Sequence, residues 1–89
     1  MTKLEEKLIE LGYKLEIEED GVIASKSINF NADIVIGIYD NKINSYYVYS
    51  YSNHIRRQDT IDNLQQAFNE MQKDLAILKE VKDEDEKSW

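Results

Sequence analysis

DTIDNLQQAFNEMQKDLAIL, residues 59–78, is the stretch whose reading decides the fold. Ile61, Leu64, Phe68, Met71, Leu75 and Leu78 recur at alternating steps of three and four, which places all six on one stripe of an α-helix. A stripe of that kind has to be buried against something. Asp59 or Thr60 is in position to cap the helix, and Asp62 puts a carboxylate in its first turn, where it complements the helix dipole. Continued to about Lys82, the helix would be roughly 33 Å long at about 1.5 Å per residue.

Outward from this helix the period changes. Residues 53–58 (NHIRRQ) are a polar connection, and residues 43–52 (INSYYVYSYS) hold four of the six tyrosines, a density that favours a strand. Residues 33–39 (DIVIGIY) carry β-branched side chains on both parities, as expected of a central strand. Asp40, Asn41 and Lys42 turn the chain between the two. The register across this turn stays open. A two-residue turn puts Ile34, Ile36 and Ile38 on one face with Tyr47 and Tyr49; a three-residue turn puts them with Tyr46 and Val48.

Further back, Val22, Ala24, Ile28 and Phe30 alternate with Ser25, Ser27 and Asn29, with Lys26 as an intruder on the apolar face. Tyr13, Leu15 and Ile17 alternate with Lys14, Glu16 and Glu18, and Glu19, Asp20 and Gly21 supply the intervening turn. Thr2 and Glu5 have the spacing of a capping box ahead of Leu4, Leu8 and Leu11, and Gly12 closes that short helix. The expected fold class is α+β: a short N-terminal helix, a four-stranded antiparallel meander and a long C-terminal helix, with both helices on one face of the sheet.

Eighty-nine residues make one small domain, expected over residues 1–82, with residues 83–89 as an acidic tail. Eleven basic against eighteen acidic side chains give a net charge of −7, which disfavours direct nucleic acid binding and anionic membranes. Residues 1–20 net −4 and residues 80–89 net −3, whereas residues 21–58 net +2. No apolar run approaches the roughly eighteen residues that span a bilayer, and the first ten lack a signal peptide's basic start and apolar centre, so a cytoplasmic protein is expected. The absence of cysteine excludes disulfides, thiol nucleophiles and thiolate metal sites.

The opening KLEEKLIELGY, the middle strand ending in tyrosines before a short polar connection, and the closing IDNLQQAFNEMQKDL resemble small proteins encoded in phages and prophages of low-GC Gram-positive bacteria. The resemblance covers both ends well and the middle loosely. It implies an accessory protein acting in the bacterial host, without assigning any functional residue.

No constellation of residues points to catalysis, so no enzyme is expected and no cofactor or metal with it. His54 stands alone, no serine lies in a nucleophile elbow, and the acidic pairs fall on amphipathic surfaces and turns. Two features remain. Tyr46, Tyr47, Tyr49 and Tyr51 offer rigid contact area of the kind found in interface hot spots, or else flank a small core. Glu18, Glu19, Asp20, Asp83, Glu84, Asp85 and Glu86 concentrate negative charge, which steers a basic partner or merely keeps the protein soluble. The reading is a non-catalytic protein-binding module, in the phage setting an inhibitor of a host defence protein with a basic surface. The alternative is a small-ligand binder, such as a nucleotide-signal sponge, in which Tyr rings stack on a base and Arg56 or Arg57 meets phosphate. A helix longer than its sheet would leave Leu75, Leu78 and Val81 partly uncovered, which predicts a homodimer through that end.

Overall fold

The computed structural model describes residues 1–54 and 56–81. In chain order it comprises α1 (Lys3–Glu10), β1 (Lys14–Ile17), β2 (Val22–Asn29), β3 (Ala32–Tyr39), β4 (Lys42–Ser50) and α2 (Gln58–Lys79). The strands form one antiparallel sheet in the order β1-β2-β3-β4. This is the expected meander, with the helices on one face.

Local chemistry sets the ends of α1. The Thr2 hydroxyl accepts from the Glu5 amide at 3.1 Å while the Glu5 carboxylate accepts from the Thr2 amide at 2.8 Å, so two otherwise orphaned donors are satisfied. At the other end Gly12 adopts φ +100°. Its amide and that of Tyr13 donate back to the Ile9 and Leu8 carbonyls, the paired closure that only a left-handed residue allows.

The two tight turns work differently. Asp40 and Asn41 both have positive φ, 54° and 59°, which matches a two-residue hairpin turn whose twist suits the flanking strands. One extra residue then enters β4: Tyr39 faces Lys42 and Ile38 faces Ile43, but Gly37 faces Ser45. The bulge moves β4 by one position, so Ile36 and Ile34 face Tyr46 and Val48. A two-residue turn thus ends in the pairing expected of a three-residue one. At this same end of β3, Gly21 of the β1–β2 turn packs so close to the Ile38 carbonyl that a Cβ would lie 2.2 Å from the oxygen.

The core gathers Leu4 and Leu8 of α1, Tyr13, Ala24, Ile34, Ile36 and Ile38 of the sheet side, and Met71, Leu75 and Leu78 of α2. This corrects the helix face expected from spacing. Ile61 and Phe68 are 42% and 47% exposed, while Thr60, Ala67 and Asp74 are buried in their place. Small side chains at 60 and 67 let the first half of α2 lie close to the sheet, where Asn29 donates to the Asn63 carbonyl and the Gln66 side chain. The far end is corrected as well. Leu75 and Leu78 are 5% and 2% exposed and Val81 packs against them, because α1 and Ile43 cover that end. The start of α2 differs too: Arg57 is the N-cap residue and no side chain caps it, while Asp59 accepts from the Thr60 amide and pairs with Arg57.

Lys26, out of pattern in β2, reaches across to α2. Its ammonium lies 2.9 Å from Asp74 and 3.3 Å from Glu70, and 5.2 Å from the centre of the Tyr13 ring. The Tyr13 hydroxyl donates to the same Asp74 oxygen at 2.8 Å. Burial pushes the Tyr13 phenol far above its ordinary range, with the hydrogen bond to Asp74 and the nearby carboxylate charges adding to the effect. Its neutral form therefore stabilises the fold below about pH 10, and that contribution falls as pH rises above the unfolded value. Denaturant melts should show wild type losing stability above about pH 10 more steeply than Tyr13→Phe. Lys26→Met leaves Asp74 without its cation and should cost about 3–5 kcal/mol, most of it recovered in a Lys26→Met/Asp74→Leu/Tyr13→Phe triple variant that also removes the hydroxyl bonded to Asp74; equal losses in single and triple variants would contradict the pairing.

Candidate functional site

Opposed residues in an antiparallel ladder share a face, so the pairings sort the sheet into two surfaces. The covered one holds Leu15, Ala24, Ile36 and Tyr46 in one row and Lys26, Ile34 and Val48 in the next. The other carries the rows Lys14, Ser25, Val35, Tyr47 and Ser27, Asp33, Tyr49, with Glu16, Ile23, Gly37 and Ser45 beyond them. Neither helix packs on it. Tyr47 and Tyr49 are each 50% exposed there, and Ile23 is exposed beside them.

The tyrosine-rich stretch is therefore divided. Tyr46 lies on the helix side, where it lines a groove of about 380 Å³ with Leu4, Ile43, Leu75, Leu78 and Val81. Tyr47 and Tyr49 project from the open side. Just past β4, the Tyr51 amide donates to the Asn31 carbonyl at 2.8 Å, which carries the chain in register beyond the strand. The Tyr51 ring meets that of Tyr49 edge to face, centres 5.2 Å apart and planes at 72°, a favoured aromatic geometry.

Beneath these rings lies Asp33, at the start of the central strand. The Tyr51 hydroxyl donates to its Oδ2. Its Oδ1 is buried and has no hydrogen-bond partner among the described residues. A buried acceptor of this kind is costly unless something donates to it. The hydrogen bond to the carboxylate is the main cause holding the Tyr51 phenol above its ordinary range, followed by lost solvation and the carboxylate's charge. Asp33 is the member of this site that pattern reading missed: the spacing puts it in the central strand without marking it as a functional side chain. The available signal was its parity: in DIVIGIY it falls with Val35 and Gly37, off the isoleucine face.

The remaining candidates lie elsewhere. Glu18, Glu19 and Asp20 are exposed at the β1–β2 turn, next to the Ile38 end of β3, whereas Asp33 is at its opposite end. Asp83, Glu84, Asp85 and Glu86 lie outside the described residues. Arg56 and Arg57 border a shallow depression of about 350 Å³ with Asn53 and His54; no tyrosine is among these lining residues, and Arg57 is paired with Asp59 at 3.3 Å. The stacked-ring and phosphate contacts of a nucleotide binder are thus not brought together. Among the described residues no group of three or more His, Cys, Asp or Glu side chains is placed to hold a metal ion, and no helix is long and apolar enough to cross a membrane.

No family model, curated protein or solved structure matches the chain. Asp33→Asn removes the charge that holds the Tyr51 proton, so absorbance titration at alkaline pH should show one phenol ionising earlier than in wild type. Superimposable titration curves would show that the Tyr51–Asp33 contact does not persist in solution.

Proposed function

We propose that this chain is a non-catalytic protein-binding module that uses the open face of its sheet, with Tyr47 and Tyr49 as anchors and Asp33 as the acceptor for a cationic side chain of the partner. The observation that carries the reading is the unpartnered Asp33 Oδ1 among half-exposed rings. A Lys or Arg entering between them would satisfy that oxygen and lie against ring faces, where aromatic quadrupoles attract cations. The net charge of −7 favours a basic partner by speeding encounter. The likeness of both chain ends to small phage proteins supports a setting in which that partner is a bacterial host protein, and inhibition of a defence protein is the corresponding outcome.

Aromatic anchors and a single desolvated charge pair are the usual carriers of interface energy. The expected behaviour is specific. In NMR titrations with short Arg- and Lys-bearing peptides, amide shifts should concentrate at Asp33, Tyr47, Tyr49 and Tyr51, weaken with added salt, and fall at least about tenfold in affinity with Asp33→Asn, a change of about 1.4 kcal/mol. Shifts confined to the helical side, or binding indifferent to Asp33→Asn, would remove this face from consideration.

A further inference from the structure

The sheet has two edges, and they differ in kind. β1 is four residues long, carries Glu16 and leads into the acidic turn at Glu18, Glu19 and Asp20. Shortness and charge of this sort protect an edge against further pairing. β4 is nine residues long, and its one charged residue, Lys42, sits at its very start next to the bulge. It has no proline and no inward-pointing charge.

The backbone of that edge is unpaired. Since the Tyr51 amide bonds Asn31 across the ladder, the alternation of an antiparallel pair turns Tyr49 and Tyr47 towards β3 and directs the amides and carbonyls of Tyr46, Val48 and Ser50 outward. Among the described residues nothing donates to or accepts from these outward groups. Charge favours one kind of occupant. Residues 41–58 hold none of the chain's eighteen acidic side chains, so β4 is the strip along which two copies of this acidic molecule can approach without opposing carboxylates.

We infer that β4 pairs with β4 of a second copy, antiparallel about a two-fold axis through Val48, to give one continuous eight-stranded sheet. The outward groups fix this register. Val48 pairs with its own copy and Tyr46 with Ser50 of the other, forming about six backbone hydrogen bonds in three mutually bonded pairs. On the open face Tyr47 then lies directly opposite Tyr49 of the second copy, an aromatic pair at the close, non-hydrogen-bonded spacing that stabilises sheets best. The two open faces merge across the junction. This pairing holds or fails independently of the function proposed above, which concerns what lies on the face and not what joins the edge.

Sedimentation and crosslinking test it. At about 0.1 mM, well above the dissociation constants of ordinary specific dimers, wild type should sediment as a dimer. Val48→Pro removes an outward amide that β3 does not use, a substitution edge strands tolerate, and should sediment as a monomer. Should that variant unfold, Tyr47→Glu/Tyr49→Glu serves instead, since it changes only half-exposed side chains and sets like charges opposite each other; it too should be monomeric with an unchanged circular dichroism spectrum. The chain has no native cysteine, so an equimolar mixture of Tyr47→Cys and Tyr49→Cys, oxidised gently, should yield the mixed disulfide in excess over either symmetric one. Monomeric wild type at that concentration would overturn the inference and leave the edge to an extended peptide of another protein. A folded Tyr47→Glu/Tyr49→Glu dimer, or no preference for the mixed disulfide, would overturn it equally.

Discussion

The contact between Lys26 and Asp74 fixes more of this structure than any other. A lysine on the apolar face of β2 is tolerated only with its charge matched, and the matching carboxylate is 2% exposed on the helix above it. Bringing residue 74 down to the sheet sets the rotation of α2. Residues 60, 67, 71, 74 and 78 then face the sheet at steps of seven, four, three and four, and Ile61 and Phe68 turn to the flanks. Tyr13 completes the arrangement by donating to the same Asp74 oxygen and lending its ring to the ammonium. The three residues come from far-apart points in the chain, so the contact joins its beginning, its sheet and its end.

That dependence explains what the sequence disclosed. The capping box at Thr2 and Glu5, the closure at Gly12, the four strands and their meander order are local signals, set within a few residues, and the structure carries them all. The face of α2 was not local. Two stripes of the same periodicity overlap on that helix, sharing Met71, Leu75 and Leu78, and hydrophobicity favours the one with Ile61 and Phe68; a polar contact 48 residues away in sequence selects the other. The register of β4 was hidden for a different reason. Turn length and bulge act in opposite senses on strand parity, and only the turn leaves a mark in composition. Asp33 was legible as a strand residue, but a lone carboxylate at a strand end carries no motif, and only its parity placed it on the open face.

Chemistry is distributed unevenly over the surface that results. Covering one side of the sheet with two helices leaves the other with three tyrosines, Val35 and Ile23, around one carboxylate with an unused oxygen. The acidic turn at Glu18, Glu19 and Asp20 is at the far end of the strands. Acidic charge and aromatic surface thus occupy separate parts of one small domain; under the proposed function, charge would govern how fast a partner arrives and the aromatic face how long it stays.

The bulge at the start of β4 decides which tyrosines make up that face. Because side chains alternate along a strand, straightening the bulge with Asn44 kept in the ladder would pair Gly37 with Asn44 and shift everything after it by one step. Tyr47 and Tyr49 would move under the helices, and Tyr46 and Val48 would move out to solvent. Substitutions at the tyrosines alter the exposed surface one ring at a time, whereas flattening the bulge with its residue retained would exchange the two sides at a stroke. An in-frame loss of Asn44 itself would only regularise the ladder, leaving Gly37 opposite Ser45 and each tyrosine on its present side.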